Sequence, residues 1–357
     1  MSDTLSHPQK AFAFYRDVLK SPHVILAPMV DGSDTSFRSF VHKHGVDLCY
    51  TPMVLSKLFN ESKTYRQEVI KTLDPRERPL VIQIVGHDPD EMGRAAKLLS
   101  KYCDVIDINL GCPQKIAQKG QYGAYLSQDL SQTEKVVKAV MKAVEVPVYC
   151  KIRVSEDHEK TMKLVDMLVA CGIWGLCVHG RTIDEKQSGV YHARWEIISD
   201  IKKRVAIPVI ANGGIATMSD IQKCKEITNA DGFMIGMGLL LNPGLCEGRL
   251  DDNFLLASEY LSLAEELSLT CLVKFWEVKG HIIKMLIYRI RPEKDIVKEI
   301  GLVTTYEDIK TWMGKAEHLF RKRSDDISHS QDMLVQDKKL MNEQVLQPDE
   351  EKVEKEC

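Results

Sequence analysis

The sequence predicts an α/β chain: a (β/α)8 TIM barrel followed by a small all-α helical-bundle domain. Three observations carry this. Eight short apolar, β-rich runs recur up to residue 236, and the stretches between them place apolar residues at helical spacing. Beyond residue 251 the strand patterns stop and only helical ones remain.

The runs are VILAPM (24–29), LCYTPM (48–53), LVIQIV (80–85), DVIDIN (104–109), VPVYCKI (146–152), WGLCVH (174–179), IPVIAN (207–212) and ADGFMIG (230–236). Continuously apolar strands suit a parallel sheet covered on both faces. Helical patterns at 88–101, 130–144, 158–171, 195–204 and 218–227 supply the connections of βα units. Eight units over roughly 215 residues suit a closed barrel, which typically takes about 250. A doubly wound open sheet is the competing architecture; it usually has fewer strands and a GxGxxG first turn, and APMVDGSD is not one.

Residues 1–20 read as an N-terminal extension, 21–250 as the barrel and 251–323 as the helical domain. The helices of that domain lie in FLLASEYLSLAEEL, CLVKFWEVKGHIIKMLIYR and YEDIKTWMGKAEHLFRKR. The tail, 324–357, is polar and acidic, and disorder is expected there. No apolar run approaches the roughly 18–20 residues of a membrane helix, and the charged start does not resemble a secretory signal. A cytoplasmic or nuclear location is expected, with the mitochondrion left open. Ten cysteines form no CxxC pair, so neither a zinc site nor any other metal is expected and the thiols should be free. The chain is expected to be a monomer.

The net charge of −3 hides an asymmetry. The tail holds ten acids against four bases, whereas 272–323 holds twelve Lys and Arg against seven Asp and Glu. Positive charge therefore gathers on the helical domain.

In such a barrel the site lies at the C-terminal ends of the strands. Those ends carry Pro28-Met29, Met53, Gln83, Asn109, Lys151, His179, Asn212-Gly213-Gly214 and Gly236. The glycine turns after the last two strands sit where backbone N–H groups usually cradle a phosphate. Each residue also has a plainer explanation: a turn for the glycines, a rim charge for Lys151, a structural imidazole for His179. Gln83 says more, because a buried amide among aliphatics needs partners. Cys112, in DINLGCPQKIAQKGQYGAYL, sits on a connection with little core to fill.

APM, VIQIVG, DINLGCPQKIAQKGQYGAYL, CKIR, VHGRT and VIANGGI stand in the order and spacing of tRNA-dihydrouridine synthases. The chain resembles that family over about residues 20–250, and it is most like the eukaryotic tRNA-dihydrouridine(16/17) synthase branch. The helices that follow are similar to the family's RNA-binding domain. The resemblance implies an enzyme that uses FMN and NADPH (or NADH) to reduce uridine in tRNA. It places Pro28, Met29 and Val30 behind the flavin ring, Gln83 on its pyrimidine edge, Lys151 near N1 and O2, and His179 close by. Asn212, Gly213, Gly214, Gly236 and Met237 would hold the phosphate, and Asn109 and Arg153 would read the uracil.

Reduction of the uracil C5–C6 bond needs a hydride at C6 and a proton at C5. Cys112 matches the family's catalytic cysteine, and a thiol of ordinary pKa about 8.5 holds its proton at neutral pH. The target base must leave the tRNA stack to reach it. Phosphate contacts are expected from Lys274, Lys279, Lys284, Arg289 and Arg291, and from the run Arg321-Lys322-Arg323 unless that run merely ends a helix.

The resemblance departs at two places. Many relatives carry Asp or Asn at the position of Gly214, and Gly-Arg at that of Gly236-Met237. Loss of that arginine predicts weaker FMN binding unless Arg181 or backbone amides compensate. Two rivals remain open: an FMN barrel acting on a small molecule, and a tRNA-binding protein with an inactive barrel.

Overall fold

Each apolar run becomes a strand with one face toward the barrel axis and the other toward a layer of helices. The computed structural model describes residues 5–186, 193–249 and 253–327. Its strands are β1 (Val24–Leu26), β2 (Leu48–Tyr50), β3 (Val54–Leu55), β4 (Leu80–Val85), β5 (Val105–Leu110), β6 (Val148–Arg153), β7 (Gly175–His179), β8 (Val209–Asn212) and β9 (Gly232–Ile235). All pairings are parallel. β1 joins β2 and β9, β2 also joins β4, and pairing continues in order from β4 to β9. This closes an eight-stranded barrel, with the two-residue β3 added along β4.

Alternation sorts the side chains. Ile25, Leu48, Val81, Val105, Tyr149, Cys177, Ile210 and Met234 fill the barrel interior, whereas Leu26, Ile82, Ile106, Ile108, Cys150, Ile152, Val178 and Ala211 pack outward under helices. Burial on both faces explains the unbroken apolar runs; each Ile or Val so buried stabilises the fold by about 1.5–3 kcal/mol. Gly175 is required beside Tyr149, whose ring carbon lies 2.4 Å from where a Cβ would stand.

The helices are α1 (His7–Asp17), α2 (Thr35–Lys43), α3 (Ser56–Glu61), α4 (Lys63–Lys71), α5 (Pro89–Leu99), α6 (Lys115–Lys119), α7 (Leu130–Ala143), α8 (His158–Ala170), α9 (Trp195–Arg204), α10 (Met218–Thr228) and α11 (Met237–Leu241). The five expected helical segments match α5, α7, α8, α9 and α10. Side-chain caps fix the starts of all but α9: Asp88 on Glu91, Asp129 on Gln132, Asp157 on Glu159, and a Thr217–Asp220 capping box.

Two expected runs overran the C-terminal ends of their strands by several residues. β1 stops at Leu26 and β2 at Tyr50, short of Pro28 and Pro52, which lack the N–H a ladder needs. Within the expected N-terminal extension, α1 lies under the barrel. Tyr15 and the following Leu19 join the interior cluster, and the Tyr15 hydroxyl donates to the Pro22 carbonyl at 2.8 Å.

The later helices are α12 (Asn253–Leu267), α13 (Phe275–Ile290), α14 (Lys294–Glu299) and α15 (Tyr306–Ile327). α12 and α13 pack on α2, and α13 also packs on α11. α15 runs past the expected boundary at 323, and the acidic tail beyond Ile327 lies outside the described residues.

Candidate active site

Parallel register brings the strand-end residues side by side. Gln83 pairs with Asp107; Asn109 pairs with Lys151, which pairs with Cys177; Arg153 pairs with His179, which pairs with Asn212. Two-residue periodicity then points Asp107, Asn109, Lys151, Arg153 and His179 the same way as the interior residues Val105, Tyr149 and Cys177. With Gln83, which shares the parity of the interior Val81, six polar side chains crowd the top of an otherwise apolar interior.

Their hydrogen bonds form a relay. Gln83 Nε2 donates to Asp107 Oδ2 at 2.7 Å, and Asn109 Nδ2 donates to Gln83 Oε1 at 2.9 Å. Asn109 Oδ1 in turn accepts the N–H groups of Gly111 (3.0 Å) and Cys112 (2.9 Å). Gln83 and Asn109 thus answer their own burial by pairing with each other. Asp107 is fully buried and its Oδ1 has no partner among the described residues. Burial pushes its carboxyl up to about 7, against the opposing pull of the Gln83 bond and of Lys151.

The loop after β5 folds back on itself around Cys112. The Ala124 N–H donates to the Cys112 carbonyl at 3.0 Å. Gly123, at φ +62°, must be glycine: a Cβ would stand 2.8 Å from the Cys112 carbonyl oxygen and 2.9 Å from its Cβ. Cys112 is half-buried and in no disulfide, and its Sγ lies 3.8 Å from Gln114 Oε1, as a weak S–H donor would. Arg153 supports the loop from below. Its Nε donates to the Gly111 carbonyl at 2.8 Å and its Nη1 to the Thr182 carbonyl at 3.0 Å.

Cations dominate the adjoining strands β6 and β7. Burial lowers the Lys151 pKa, opposed by Cys177 and reinforced by Arg153; no hydrogen-bond acceptor meets its Nζ among the described residues. Burial, with Lys151, Arg153 and Arg181 nearby, holds His179 well below its ordinary value, so the ring is neutral. Its Nε2 is buried without a partner among the described residues. Burial likewise brings Arg153 down to about 10.

Asn212 Nδ2 donates to the Met234 carbonyl at 2.8 Å, fixing the turn after β8. Gly213 and Gly214 follow at φ +100° and +75°. A Cβ on Gly213 would lie 2.6 Å from His179 Cδ2, so glycine lets the turn cross the imidazole. Gly236 caps α11, whose first amides have no intrahelical acceptor. Met29 Sδ lies 3.3 Å from where a Gly236 Cβ would be, so the turns after β1 and β9 touch. Pro28 is half-buried, while Val30 and Met237 are exposed.

The expected RNA-facing cations are largely engaged within the chain. Lys274 lies 3.5 Å from Glu68 and over the exposed Trp276 ring. Lys279 donates to the Val303 carbonyl at 3.0 Å, and Lys284 to the Asp31 carbonyl at 2.6 Å. Arg289 stacks on Phe320, and Arg291 is the exposed C-cap of α13. Arg321 pairs with Glu317 and Arg323 with Glu293. Among the described residues no cluster of His, Cys, Asp and Glu could hold a metal, and no helix is long and apolar enough to cross a membrane.

Asp107 and the pair Asp34–His281, described below, were not foreseen as site residues. Asp107 had a signal: in DVIDIN the polar residues 107 and 109 recur at the strand period, on one face.

A dihydrouridine synthase (Dus) family model matches residues 25–338. The chain is 36% identical over 301 residues to a rat tRNA-dihydrouridine(16/17) synthase [NAD(P)(+)]-like protein, covering 84% of this chain and 68% of that one. It is also 36% identical over 313 residues to the Schizosaccharomyces pombe tRNA-dihydrouridine(16/17) synthase [NAD(P)(+)], covering 84% and 77%. Of a mouse relative with the same description as the rat one it spans 62%. Among solved structures, a 2-naphthoyl-CoA reductase complex shares the barrel fold, with a TM-score of 0.51 at 11% identity over 64% of this chain and 50% of that one. The family model spans the barrel, the cysteine loop and the helices after it, and on that evidence the chain belongs to the dihydrouridine synthase family of oxidoreductases.

Proposed function

We propose that this chain reduces the C5–C6 double bond of uridine in the D-loop of tRNA, at positions 16 and 17, with FMN as cofactor and NADPH or NADH as reductant. The observation that carries this reading is the cysteine loop: in a chain of this family, Cys112 is held at the barrel mouth by Asn109, beside a cationic wall.

The residues present fit FMN. The buried His179 Nε2, without a partner among the described residues, and the Lys151 ammonium offer polar contacts to a flat anionic ring. Gln83 keeps one amide N–H beyond that given to Asp107. The positive-φ turn at Gly213-Gly214 and the amides at Gly236-Met237 suit a phosphate, and Pro28, Met29 and Val30 would back the ring. These backbone amides take the place of the arginine that many relatives carry at Met237. When bound, FMN supplies the hydride for uracil C6, drawn from the nicotinamide.

The remaining chemistry belongs to the chain. Cys112 holds the proton for C5, and its pinned backbone fixes the direction from which that proton arrives. Lys151, which makes no salt bridge among the described residues, would stabilise negative charge on the ring side. Asn109 and Arg153 border the uracil, which enters as a flipped-out base. Lys274, Arg289 and Arg291 would meet tRNA phosphates.

Site-resolved mapping of dihydrouridine in tRNA from cells lacking this protein tests the reading. The modification should disappear at positions 16 and 17 and return with the intact gene. Unchanged modification at both sites would contradict it.

A further inference from the structure

We propose that α13 forms the outer wall of the cofactor site, with Lys284 and His281 as positioning residues for the turn after β1, so that Lys284 serves the turn rather than RNA. The inference rests on the reading of that turn as the backing of a flavin.

One face of α13 meets the turn. Glu277, His281 and Lys284 fall at i, i+4 and i+7, which places them on one side of the helix. Lys284 Nζ donates to the carbonyl of Asp31, a non-glycine residue at φ +54°, in the left-handed region. One turn back, the fully buried His281 meets Asp34 Oδ2 through Nε2 at 2.5 Å, and its ring stacks flat on Phe37 with centroids 4.2 Å apart. Asp34 is also the N-cap of α2 and accepts from the Ser36 hydroxyl at 2.6 Å, while that hydroxyl meets the Tyr260 hydroxyl of α12 at 2.9 Å. Burial alone would raise the Asp34 carboxyl; His281, Ser36 and the Phe37 N–H overcome it and hold the group well below the usual range.

Residues 29–33 are therefore held at both ends. Ser33 Oγ accepts the Met29 N–H at 3.0 Å at the barrel end, and α13 grips Asp31 and Asp34 from outside. The same helix packs on α11, which begins at the turn after β9. It thus spans the seam where Met29 and Gly236 touch, between the expected ring-backing and phosphate-holding turns. A lysine that met only RNA phosphates would have no need of a buried neighbour such as His281, one helical turn away and fastened to the same turn.

The test uses the full chain with Lys284→Met and Lys284→Arg. Hydrogen exchange of the peptide covering 29–33 is measured without flavin; FMN affinity is measured by fluorescence quenching, and tRNA affinity across a salt series. The inference expects Lys284→Met to speed exchange at 29–33 at least five-fold and to weaken FMN at least five-fold. It also expects an unchanged salt slope for tRNA and recovery in Lys284→Arg, which keeps a donor. Unchanged exchange at 29–33, with a salt slope reduced by about one as for a lost phosphate contact, would overturn it. Wild-type protein that binds no FMN would defeat the proposed function instead, while the exchange measurement would still decide the role of α13.

Discussion

Asn109 Oδ1 accepts the backbone N–H of Cys112 at 2.9 Å, so the last inward side chain of β5 holds the residue that carries the thiol. The same oxygen accepts from Gly111, and the amide nitrogen on the other side of the group donates to Gln83. One carboxamide thereby joins the barrel interior to the loop, beside the hold of Arg153 on the Gly111 carbonyl. The loop is short of regular structure but not of anchors.

Replacing Asn109 should uncouple the two. Asn109→Leu leaves two loop N–H groups and Gln83 Oε1 unpaired, and each buried unpaired group costs about 1–3 kcal/mol. We expect a loss of at least about 3 kcal/mol in urea unfolding and roughly a hundredfold loss of dihydrouridine formation, the scale set by misplacing a reacting group by about 1 Å. Asn109→Asp keeps the acceptor for the loop and should retain more turnover. Wild-type rates in Asn109→Leu would show that the loop needs no such anchor.

Gly123 offers a second handle on the same loop. An alanine there must adopt φ +62° with its Cβ against the Cys112 carbonyl, which should cost about 1–3 kcal/mol. Turnover on tRNA should fall at least tenfold while FMN affinity, measured by fluorescence quenching, stays at the wild-type value. A variant that loses FMN instead would place the loop's importance elsewhere.

The buried carboxyl of Asp107 predicts a pH dependence whose sign can be worked out. Its folded value, about 7, lies above its ordinary 3.8, so between these the folded state holds a proton that the unfolded state has released. Stability contributed by this group is complete below pH 3.8 and is lost as pH rises toward 7. His179, held below its ordinary value, acts in the opposite sense and removes stability as pH falls below 6.5. Asp107→Asn isolates the first effect. Its stability relative to wild type should rise by about 2–3 kcal/mol between pH 5 and 7.5, at about 1.4 kcal/mol per unit of pH. Urea unfolding of flavin-free protein at the two pH values checks this, and a flat difference would mean that Asp107 is already ionised in the fold.

Much of the barrel was legible because burial on both faces leaves little freedom: VIQIV and VIAN can hardly be anything but interior parallel strands. Residues 56–71 were harder to read. α4 fully buries no side chain and offers only the half-buried Tyr65, Val69 and Ile70 to the core. Gln83 announced itself as a polar residue among aliphatics, but its link to Asp107 and Asn109 depends on inter-strand register, which no single segment encodes. Charge counting found the basic helical region yet could not separate cations facing solvent from those bonded within the chain. Lys279, spent on the carbonyls of Ile300 and Val303, and Lys284, spent on Asp31, are bonded within it.

The central claim is that the Cys112 thiol delivers the proton to uracil C5. The most direct measurement mixes prereduced Cys112→Ala, loaded with FMN, with unmodified tRNA and follows flavin absorbance and dihydrouridine in a single turnover. The account predicts a normal flavin spectrum and reoxidation by tRNA at least a hundredfold slower than wild type, with matching loss of dihydrouridine. Reoxidation at the wild-type rate with full dihydrouridine yield would contradict it.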